Sequence, residues 1–367
     1  MKKRILYYGM SSSIGGIETF LFQLANNLYK KNFQINFLLI GEETPCFYKE
    51  LLHLDCRFFK ITPRKKNLYK HLKELNDLFE KEHFDILHFN VVSLSYISPV
   101  IVALKYGCKV IVHSHNSKLS SGLVTQVLNK INYLRIPKNK IIKFACSRLA
   151  AYYLFGKHTN KSDIIILKNA INTEEFIYNP IKRELTRREL CLENKFVIGH
   201  VGRFEALKNH GFLIDIFKKI HEKNNTAVLL LIGDGTLRSE IEQKIEVSGL
   251  KNDVIFAGIR SDVPDLLCAM DLFLFPSLGE GLGIVLIEAQ ANGLHCVVSN
   301  VLPNEVKITD LIEYVSLNES PAHWADRVIV YMNGYERKNM QTEIKQAGFD
   351  MKEMSQSLEE FYLKQLN

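Results

Sequence analysis

The sequence lacks the features that mark membrane-spanning, secreted and nucleic-acid-binding proteins. It has no run of about 18 apolar residues, and no apolar stretch of signal-peptide type follows its basic first residues. None of the seven cysteines forms a C-x-x-C pair, so we expect free thiols in a reducing cytoplasm that form neither disulfides nor a zinc site. No zinc finger, basic zipper or RNP-type aromatic motif is present, and no nucleic-acid partner is predicted.

Two cofactor motifs are also missing. The chain has no G-x-G-x-x-G fingerprint of nicotinamide enzymes, and it has no Asp-x-Asp pair, a common arrangement for holding a divalent ion to a diphosphate. The sequence therefore predicts neither a bound cofactor nor a metal ion.

What is present is a strand–helix alternation that occurs twice. The length of 367 residues favours two domains, because a single core rarely grows beyond roughly 250–300 residues. Alternation of this kind predicts an α/β fold with two doubly wound, Rossmann-like parallel sheets. The polar segment 169–182 breaks the pattern, so we predict an N-terminal domain over 1–172 and a C-terminal domain over 173–350. The last residues, 351–367, are expected to form a helix that packs back on the N-terminal domain.

Charge divides the two halves. Residues 1–180 hold 26 Lys and Arg against 13 Asp and Glu, a net charge of +13, whereas the remainder holds 21 against 27, a net charge of −6. A basic half of this kind is typical of a protein that meets a phosphorylated substrate or an anionic lipid surface, although a lysine-rich surface alone would look the same.

The glycine-containing loops of the second half follow its predicted strands. In open parallel sheets ligands bind beyond the carboxyl ends of the strands, and Gly202, Gly233, Gly258 and the loop Pro276–Gly283 all fall there. The last loop opens directly into a helix, whose free N–H groups suit a diphosphate. Four such loops at one edge predict a ligand site.

Two carboxylates and two cations accompany these loops. Glu280 lies in the last loop and Glu288 about one turn inside the following helix, so both can accept hydrogen bonds from hydroxyl groups. A capping loop and a solvated helix glutamate are the alternative. Arg203 and Lys208 can neutralise a phosphate leaving group in place of a metal ion.

The first half offers weaker signals. Gly16, in the loop between the first strand and its helix, could approach a phosphate. His113 and His115 follow a strand at the same kind of edge, and a hydrogen-bonding role toward a substrate or a structural role both fit them.

These motifs together resemble the retaining glycosyltransferases of family 4, which have the GT-B fold. The resemblance lies in Gly15-Gly16-Ile17-Glu18, in Gly202-Arg203 with Lys208, and in the P-S-x-x-E-G-x-G-x3-E-A signature from Pro276 to Ala289. It covers essentially the whole chain. The run His113–Ser117 resembles a subset that builds bacterial capsule or exopolysaccharide. Two motifs depart from the family pattern, at 169–172 and at 293–297, where neither change touches a residue assigned to chemistry.

The resemblance implies two domains facing across a cleft and a role for each matching position. Arg203 and Lys208 would bind the diphosphate of a nucleotide-sugar, UDP-sugar being favoured, and Glu280 would hold the transferred sugar. Glu288 would hold the ribose, and His115 would lie beside the sugar and act in catalysis with Glu280, Arg203 and Lys208. The remaining predicted donor-binding positions are backbone or nucleobase contacts at Gly16, Gly233, Ile259, Arg260, Gly281, Leu282 and Gly283.

The acceptor implied by the family is a saccharide, often linked to a lipid diphosphate. The first domain would face it, so Lys65, Lys66, Lys70, Lys73 and the apolar and basic run 119–143 are candidates for contact with the inner face of the plasma membrane. A basic helix packed on its own sheet is the alternative.

Two other functions remain open from sequence. A sugar-nucleotide epimerase on the same fold would act without an acceptor, and the P-S-x-x-E-G signature argues against it. A catalytically idle partner subunit would be free to lose the set Arg203, Lys208, Glu280 and Glu288, which is intact.

Overall fold

The chain forms two compact units. A computed structural model describes residues 2–28, 32–115, 123–156 and 161–366. The first unit comprises the chain up to Ala170 together with the chain from Asp350 onward, and the second unit is Ile171–Phe349. The boundary predicted from sequence, at 172 and 173, lies two residues beyond this division.

Each unit is built on one parallel sheet. In the described part of the first unit the strand order is β3-β2-β1-β4-β5-β6-β7, and in the second unit it is β10-β9-β8-β11-β12-β13. The strands are β1 Lys3–Tyr8, β2 Phe33–Ile40, β3 Arg57–Ile61, β4 Ile86–Val91, β5 Lys109–Ser114, β6 Ile141–Ala145, β7 Ile164–Ile166, β8 Phe196–Val201, β9 Ala227–Ile232, β10 Val254–Gly258, β11 Leu272–Phe275, β12 Cys296–Ser299 and β13 Ile312–Val315.

Helices connect and cover the strands. In the described ranges they are α1 Gly16–Leu28, α2 Tyr48–His53, α3 Leu68–Glu82, α4 Ser98–Lys105, α5 Leu123–Arg135, α6 Arg148–Phe155, α7 Pro180–Glu189, α8 His210–Lys223, α9 Arg238–Val247, α10 Val263–Ala269, α11 Ile284–Ala291, α12 Pro321–Ile329, α13 Gln341–Gln346 and α14 Met351–Leu366.

The central strands are buried along most of their length because helices cover both faces of each sheet. β9 and β11 are buried at every position. On one face of the second sheet, Phe273 of β11 and Leu286 of α11 belong to a core that also includes α13. The core on the other face contains Phe217 of α8 and Trp324 of α12. The prediction of two doubly wound parallel sheets is therefore confirmed.

The C-terminal helix α14 is part of the first unit. Its Tyr362 is fully buried, and the hydroxyl of Tyr362 lies 3.1 Å from the hydroxyl of Tyr7 on β1. Met351, Met354 and Leu358 join the same core as α1. Part of one face of the first sheet is thus covered by residues from the far end of the chain.

Most predicted elements are observed with shifts of one to three residues at their ends. The helical spacing of apolar residues between Phe20 and Leu28 predicts a helix over 18–31. The observed helix runs from Gly16 to Leu28, and residues 29–31 lie outside the described ranges. Sequence periodicity missed short or weakly amphipathic elements, among them β3, α2, α4 and β13. Among the helices that the structure describes, none has the length and low charge that crossing a bilayer requires.

Candidate functional site

The carboxyl ends of β8 and β11 bring Lys208 and Glu280 into contact. The Lys208 Nζ lies 2.7 Å from the Glu280 Oε1, and the two side chains are only 17% and 12% exposed. The Ser277 hydroxyl donates to the same carboxylate oxygen at 2.8 Å. A largely desolvated cation and carboxylate at this edge form the centre of the candidate site.

Local structure holds these two loops together. Leu278 N donates to the Leu207 carbonyl at 2.8 Å, and Asn209 Nδ2 donates to the Pro276 carbonyl at 3.1 Å. Asn209 adopts the left-handed conformation, with φ of 57°, between a 3-10 turn and α8. Asparagine tolerates this conformation better than most residues, so the turn that carries Lys208 can close onto the β11 loop.

The Lys208 ammonium also lies over an aromatic ring. Its Nζ is 4.7 Å from the centre of the Phe275 ring on β11, within the range of a cation–π contact. Glu280, Ser277 and Phe275 together hold the cation in one place. A cation that is already positioned stabilises a phosphate without first paying the entropy of ordering its side chain.

The loop after β11 ends at the first turn of α11. Gly283 precedes the helix with φ of 78°, a left-handed conformation that favours glycine. The partly buried Gly281 and the buried Leu282 lead into it. The Leu286 N–H donates to the Gly283 carbonyl at 2.9 Å, while the first N–H groups of a helix have no carbonyl four residues earlier to bond, which makes this turn suited to an anion.

Glu288 lies on α11 and is mostly enclosed. No hydrogen-bond donor approaches its carboxylate among the residues that the structure describes, and burial raises its pKa to about 7. A carboxylate that has lost water without gaining a donor is poorly solvated, and hydroxyl donors from a ligand would satisfy it.

The other predicted donor contacts of the second unit lie at the same sheet edge. Arg203 follows β8, is half exposed and pairs with Glu205 at 3.2 Å. Gly233 follows β9 with φ of 132°, and a Cβ there would lie 2.2 Å from the Gly202 carbonyl oxygen, so any side chain would separate the two loops. Ile259 follows β10 and is 70% exposed. Arg260 turns back to Asp262, with an Nε–Oδ1 distance of 2.7 Å.

Gly16 and His115 lie in the first unit. Gly16 is the first residue of α1, and nothing lies within 4 Å of the place where a Cβ would stand. His115 directly follows β5, and its Nε2 lies 2.8 Å from the Asn90 Oδ1 at the end of β4. Asn90 Nδ2 donates to the His88 carbonyl, which leaves Oδ1 as the acceptor and places the ring proton of His115 on Nε2. The Nδ1 of His115 is then an acceptor.

His115 belongs to a buried group of imidazoles. The His113 and His115 rings lie 3.9 Å apart, and His88 Nε2 lies 3.1 Å from His113 Nδ1. On its other side His88 Nδ1 meets the Tyr362 hydroxyl of α14 at 2.5 Å. Burial lowers the pKa of His115 to about 3, so its imidazole is neutral at physiological pH and hydrogen-bonds without carrying charge.

Sequence reasoning missed Asn90 and the structural part played by Ser277. Asn90 is buried at the end of an otherwise largely apolar strand, and such a polar residue at a strand's carboxyl end was the available signal. In the sequence, Ser277 stands out only as a member of the P-S-x-x-E-G signature. In the structure its hydroxyl contacts both the Leu207 carbonyl and Glu280. In the described ranges no three His, Cys, Asp or Glu side chains gather as metal ligands.

The fold and the site define a class of protein. Two units with parallel sheets, of which the second carries a cation–carboxylate pair beside a glycine-rich helix start, have the architecture of the GT-B glycosyltransferases. A solved structure of Anabaena Alr3699/HepE, in complex with UDP and glucose, superposes with a TM-score of 0.81 at 19% identity, covering 99% of this chain and 100% of that one.

Sequence comparison then identifies the family. Residues 14–175 match the model described as Glycosyltransferase Family 4, and residues 195–333 match the one described as Glycosyl transferases group 1. A Bacillus subtilis (strain 168) protein assigned as the glycosyltransferase EpsF is 30% identical over 338 residues, which are 89% of this chain and 87% of the relative. The chain belongs to the family 4 glycosyltransferases.

A further relative is named for its reaction. The Escherichia coli UDP-Gal:alpha-D-GlcNAc-diphosphoundecaprenol alpha-1,3-galactosyltransferase is 28% identical over 320 residues, covering 83% of this chain and 81% of the relative. The family predicted from the motifs is thus confirmed over most of both units.

Proposed function

We propose that this chain transfers a hexose or N-acetylhexosamine from a UDP-sugar to a lipid-linked saccharide, in the synthesis of a bacterial surface polysaccharide. Transfer retains the anomeric configuration and uses no bound metal ion. The observation that carries the proposal is the enclosed Lys208–Glu280 pair, 2.7 Å apart, beside the start of α11. The E. coli relative, named for a UDP-sugar donor and a diphosphoundecaprenol-linked acceptor, supports the same substrate classes.

The donor diphosphate binds where positive charge is fixed. Lys208 and Arg203 supply two cations, and the backbone N–H groups after Gly283 supply the positive end of a helix. These groups stabilise the charge that develops on the leaving phosphate, which is the work that a metal ion does in other transferases.

The carboxylates hold the hydroxyl groups of the donor. Glu280 accepts a hydrogen bond from a hydroxyl of the transferred sugar, and it also orients the Lys208 ammonium. The same side chain therefore positions the sugar and holds the cation that neutralises the phosphate. Glu288 accepts from the ribose, which gives its enclosed carboxylate the donors it lacks in the free protein. The exposed Ile259 offers an apolar face to the nucleobase.

Neutral His115 completes the acceptor side. Its Nδ1 accepts a hydrogen bond from a sugar hydroxyl because Asn90 holds the ring proton on Nε2. The acceptor hydroxyl approaches the transferred sugar on the face from which the phosphate departs. The departing phosphate takes the proton of that hydroxyl, and the anomeric configuration of the sugar is retained.

The acceptor reaches the enzyme at a membrane surface. Lys65, Lys66, Lys70 and Lys73 are all exposed, on or just before α3 of the first unit. Cations near an anionic leaflet contribute about 1 kcal/mol each to binding. The chain therefore works as a cytoplasmic protein held on the inner face of the plasma membrane.

A thermal-shift screen against UDP, GDP, ADP and CMP in the presence of EDTA tests the donor site. We expect UDP to raise the melting temperature, because a ligand that binds only the folded state stabilises it. Lys208→Met should remove this shift, whereas Lys219→Met, which removes an exposed surface cation paired with Glu222, should keep it.

The same experiment separates the alternatives. A shift with UDP only after a divalent ion is added would contradict metal independence. Release of an altered nucleotide-sugar without acceptor would identify an epimerase. No shift with any nucleotide would favour an idle partner subunit.

A further inference from the structure

Helix α5 directs polar side chains toward the protein and apolar side chains toward solvent, the reverse of an ordinary surface helix. Its asparagines face the protein: Asn129 and Asn132 are 5% and 7% exposed. Asn129 Oδ1 accepts from the Leu94 N–H at 2.7 Å, and Asn132 Nδ2 donates to the Leu94 carbonyl at 2.7 Å. The pair satisfies both backbone groups of a buried residue, and this fixes which face of α5 points inward.

The outward face of α5 is apolar. Val124, Val127, Ile131 and Leu134 are 72%, 53%, 49% and 74% exposed. Their spacing of three, four and three residues places them on one side of the helix. Four large aliphatic side chains in one stripe differ from the scattered exposed apolar residues of most protein surfaces, and such a continuous stripe marks an interaction surface.

Charge around this stripe has one sign. From residue 86 to residue 162 the sequence contains no Asp or Glu and eleven Lys or Arg. Lys130, Arg135 and Lys140 are exposed on and just after α5. An apolar stripe with cations beside it along the helix matches a surface that is apolar inside and anionic outside, as an acidic lipid leaflet is.

We infer that α5 lies in the interface of an anionic bilayer, with Val124, Val127, Ile131 and Leu134 in the acyl region and Lys130, Arg135 and Lys140 at the headgroups. The inference deepens the proposed function, since it names the surface that seats the enzyme beside a lipid-linked acceptor. The Asn129–Asn132 clamp makes the surface permanent, because α5 does not need to rotate or refold to expose it.

The position of α5 in the first unit suits this task. Leu94, which the two asparagines hold, follows β4, and the same strand carries Asn90, the partner of His115, as its second-to-last residue. The helix is therefore anchored to the sheet edge that carries the acceptor-side histidine. A bilayer against α5 would hold this edge near the headgroup region where a lipid diphosphate resides.

Vesicle sedimentation tests the inference with a matched pair of variants. One variant carries Val124→Ser, Val127→Ser, Ile131→Ser and Leu134→Ser. The control carries the same four residue types changed on exposed positions of the second unit, Ile181→Ser, Leu185→Ser, Val247→Ser and Val330→Ser, which are 59–82% exposed. The full chain is mixed with phosphatidylcholine vesicles with and without phosphatidylglycerol, and the UDP-induced thermal shift is measured on each protein.

We expect wild type and control to bind the vesicles that contain phosphatidylglycerol, and the α5 variant to bind roughly tenfold or more weakly, with its UDP shift unchanged. Changing Lys130, Arg135 and Lys140 to Gln should weaken binding by roughly fivefold for each cation and reduce its salt dependence.

Three results would overturn the inference: equal vesicle binding by the α5 variant and the control, no vesicle binding by wild type, or a change from dimer to monomer in the α5 variant without any change in lipid binding. The last would assign the stripe to a second copy of the chain. Loss of the UDP shift in wild type would instead refute the donor proposal, so the two failures are distinguishable.

Discussion

Replacing Glu288 by Gln should have opposite effects on stability and on donor binding. Burial raises the pKa of this carboxyl from 4.5 to about 7 in the free protein. Glutamine keeps the shape of the neutral acid, but it cannot ionise. Glu288→Gln therefore removes a charge that the fold tolerates poorly and that the ribose hydroxyls require as an acceptor.

The effect on stability follows from the sign of the pKa change. Because the folded state holds its proton more tightly than the unfolded state, stability falls as the pH rises from about 4.5 through about 7. The difference between these two pKa values corresponds to about 3 kcal/mol at pH 8. Glu288→Gln should thus be more stable than wild type by up to about 3 kcal/mol at pH 8 and equal to it near pH 4.

The effect on binding has the opposite sign. With a pKa of about 7, the carboxylate is ionised in about one tenth of molecules at pH 6 and in about nine tenths at pH 8. Affinity for UDP-glucose should rise about tenfold between these pH values. UDP-glucose is the suitable probe because its diphosphate does not titrate in this range. In Glu288→Gln the affinity should be lower and independent of pH.

Urea denaturation at pH 4 and pH 8 and isothermal titration calorimetry at pH 6, 7 and 8 measure both effects. Calorimetry in buffers of different ionisation enthalpy should also show proton release on binding at pH 6. The reasoning would be refuted if Glu288→Gln bound UDP-glucose with the same pH dependence as wild type, or if it gained no stability at pH 8.

Two further predictions concern buried asparagines of the first unit. Asn90→Asp should raise the pKa of His115, because it places a carboxylate at the His115 Nε2. Ring 15N NMR should then show both ring nitrogens protonated near neutral pH, and turnover should fall. An unchanged tautomer and spectrum would show that Asn90 does not position the ring. Asn129→Ala should lower the free energy of unfolding by about 1–3 kcal/mol, because a buried backbone N–H loses its acceptor. Asn139→Ala, at an exposed position, is the control, and an equal loss there would contradict the clamp.

The fold class could be predicted from sequence because its signals are local. Buried parallel strands such as β9 and β11 are continuous apolar runs, which predict strands over 227–232 and 272–275, the same bounds that the structure has. The rule that ligands bind at the carboxyl ends of parallel strands then placed Lys208 and Glu280 at one edge. The strand order within each sheet was not predicted, since pairing of distant strands leaves little trace in local periodicity.

The sequence by itself determined the alternation of strands and helices, the two-unit plan and the loops that end at the candidate site, because backbone preference and hydrophobic period act over a few residues. Only the tertiary structure decided the contacts between distant residues. Lys208 and Glu280 are 72 residues apart, and Asn90 and His115 are 25 apart.

The orientation of α5 shows most clearly what could not be predicted from the sequence. Its sequence left two orientations open, contact with a membrane surface or packing on its own sheet, and in the structure Asn129 and Asn132 are the residues that face the core. The buried N–H and C=O of Leu94 need partners, and leaving either unsatisfied would destabilise the fold by about 1–3 kcal/mol. That demand comes from Leu94, which follows β4 and lies 35 residues before Asn129 in the sequence, so only the folded chain could decide which face of the helix meets solvent.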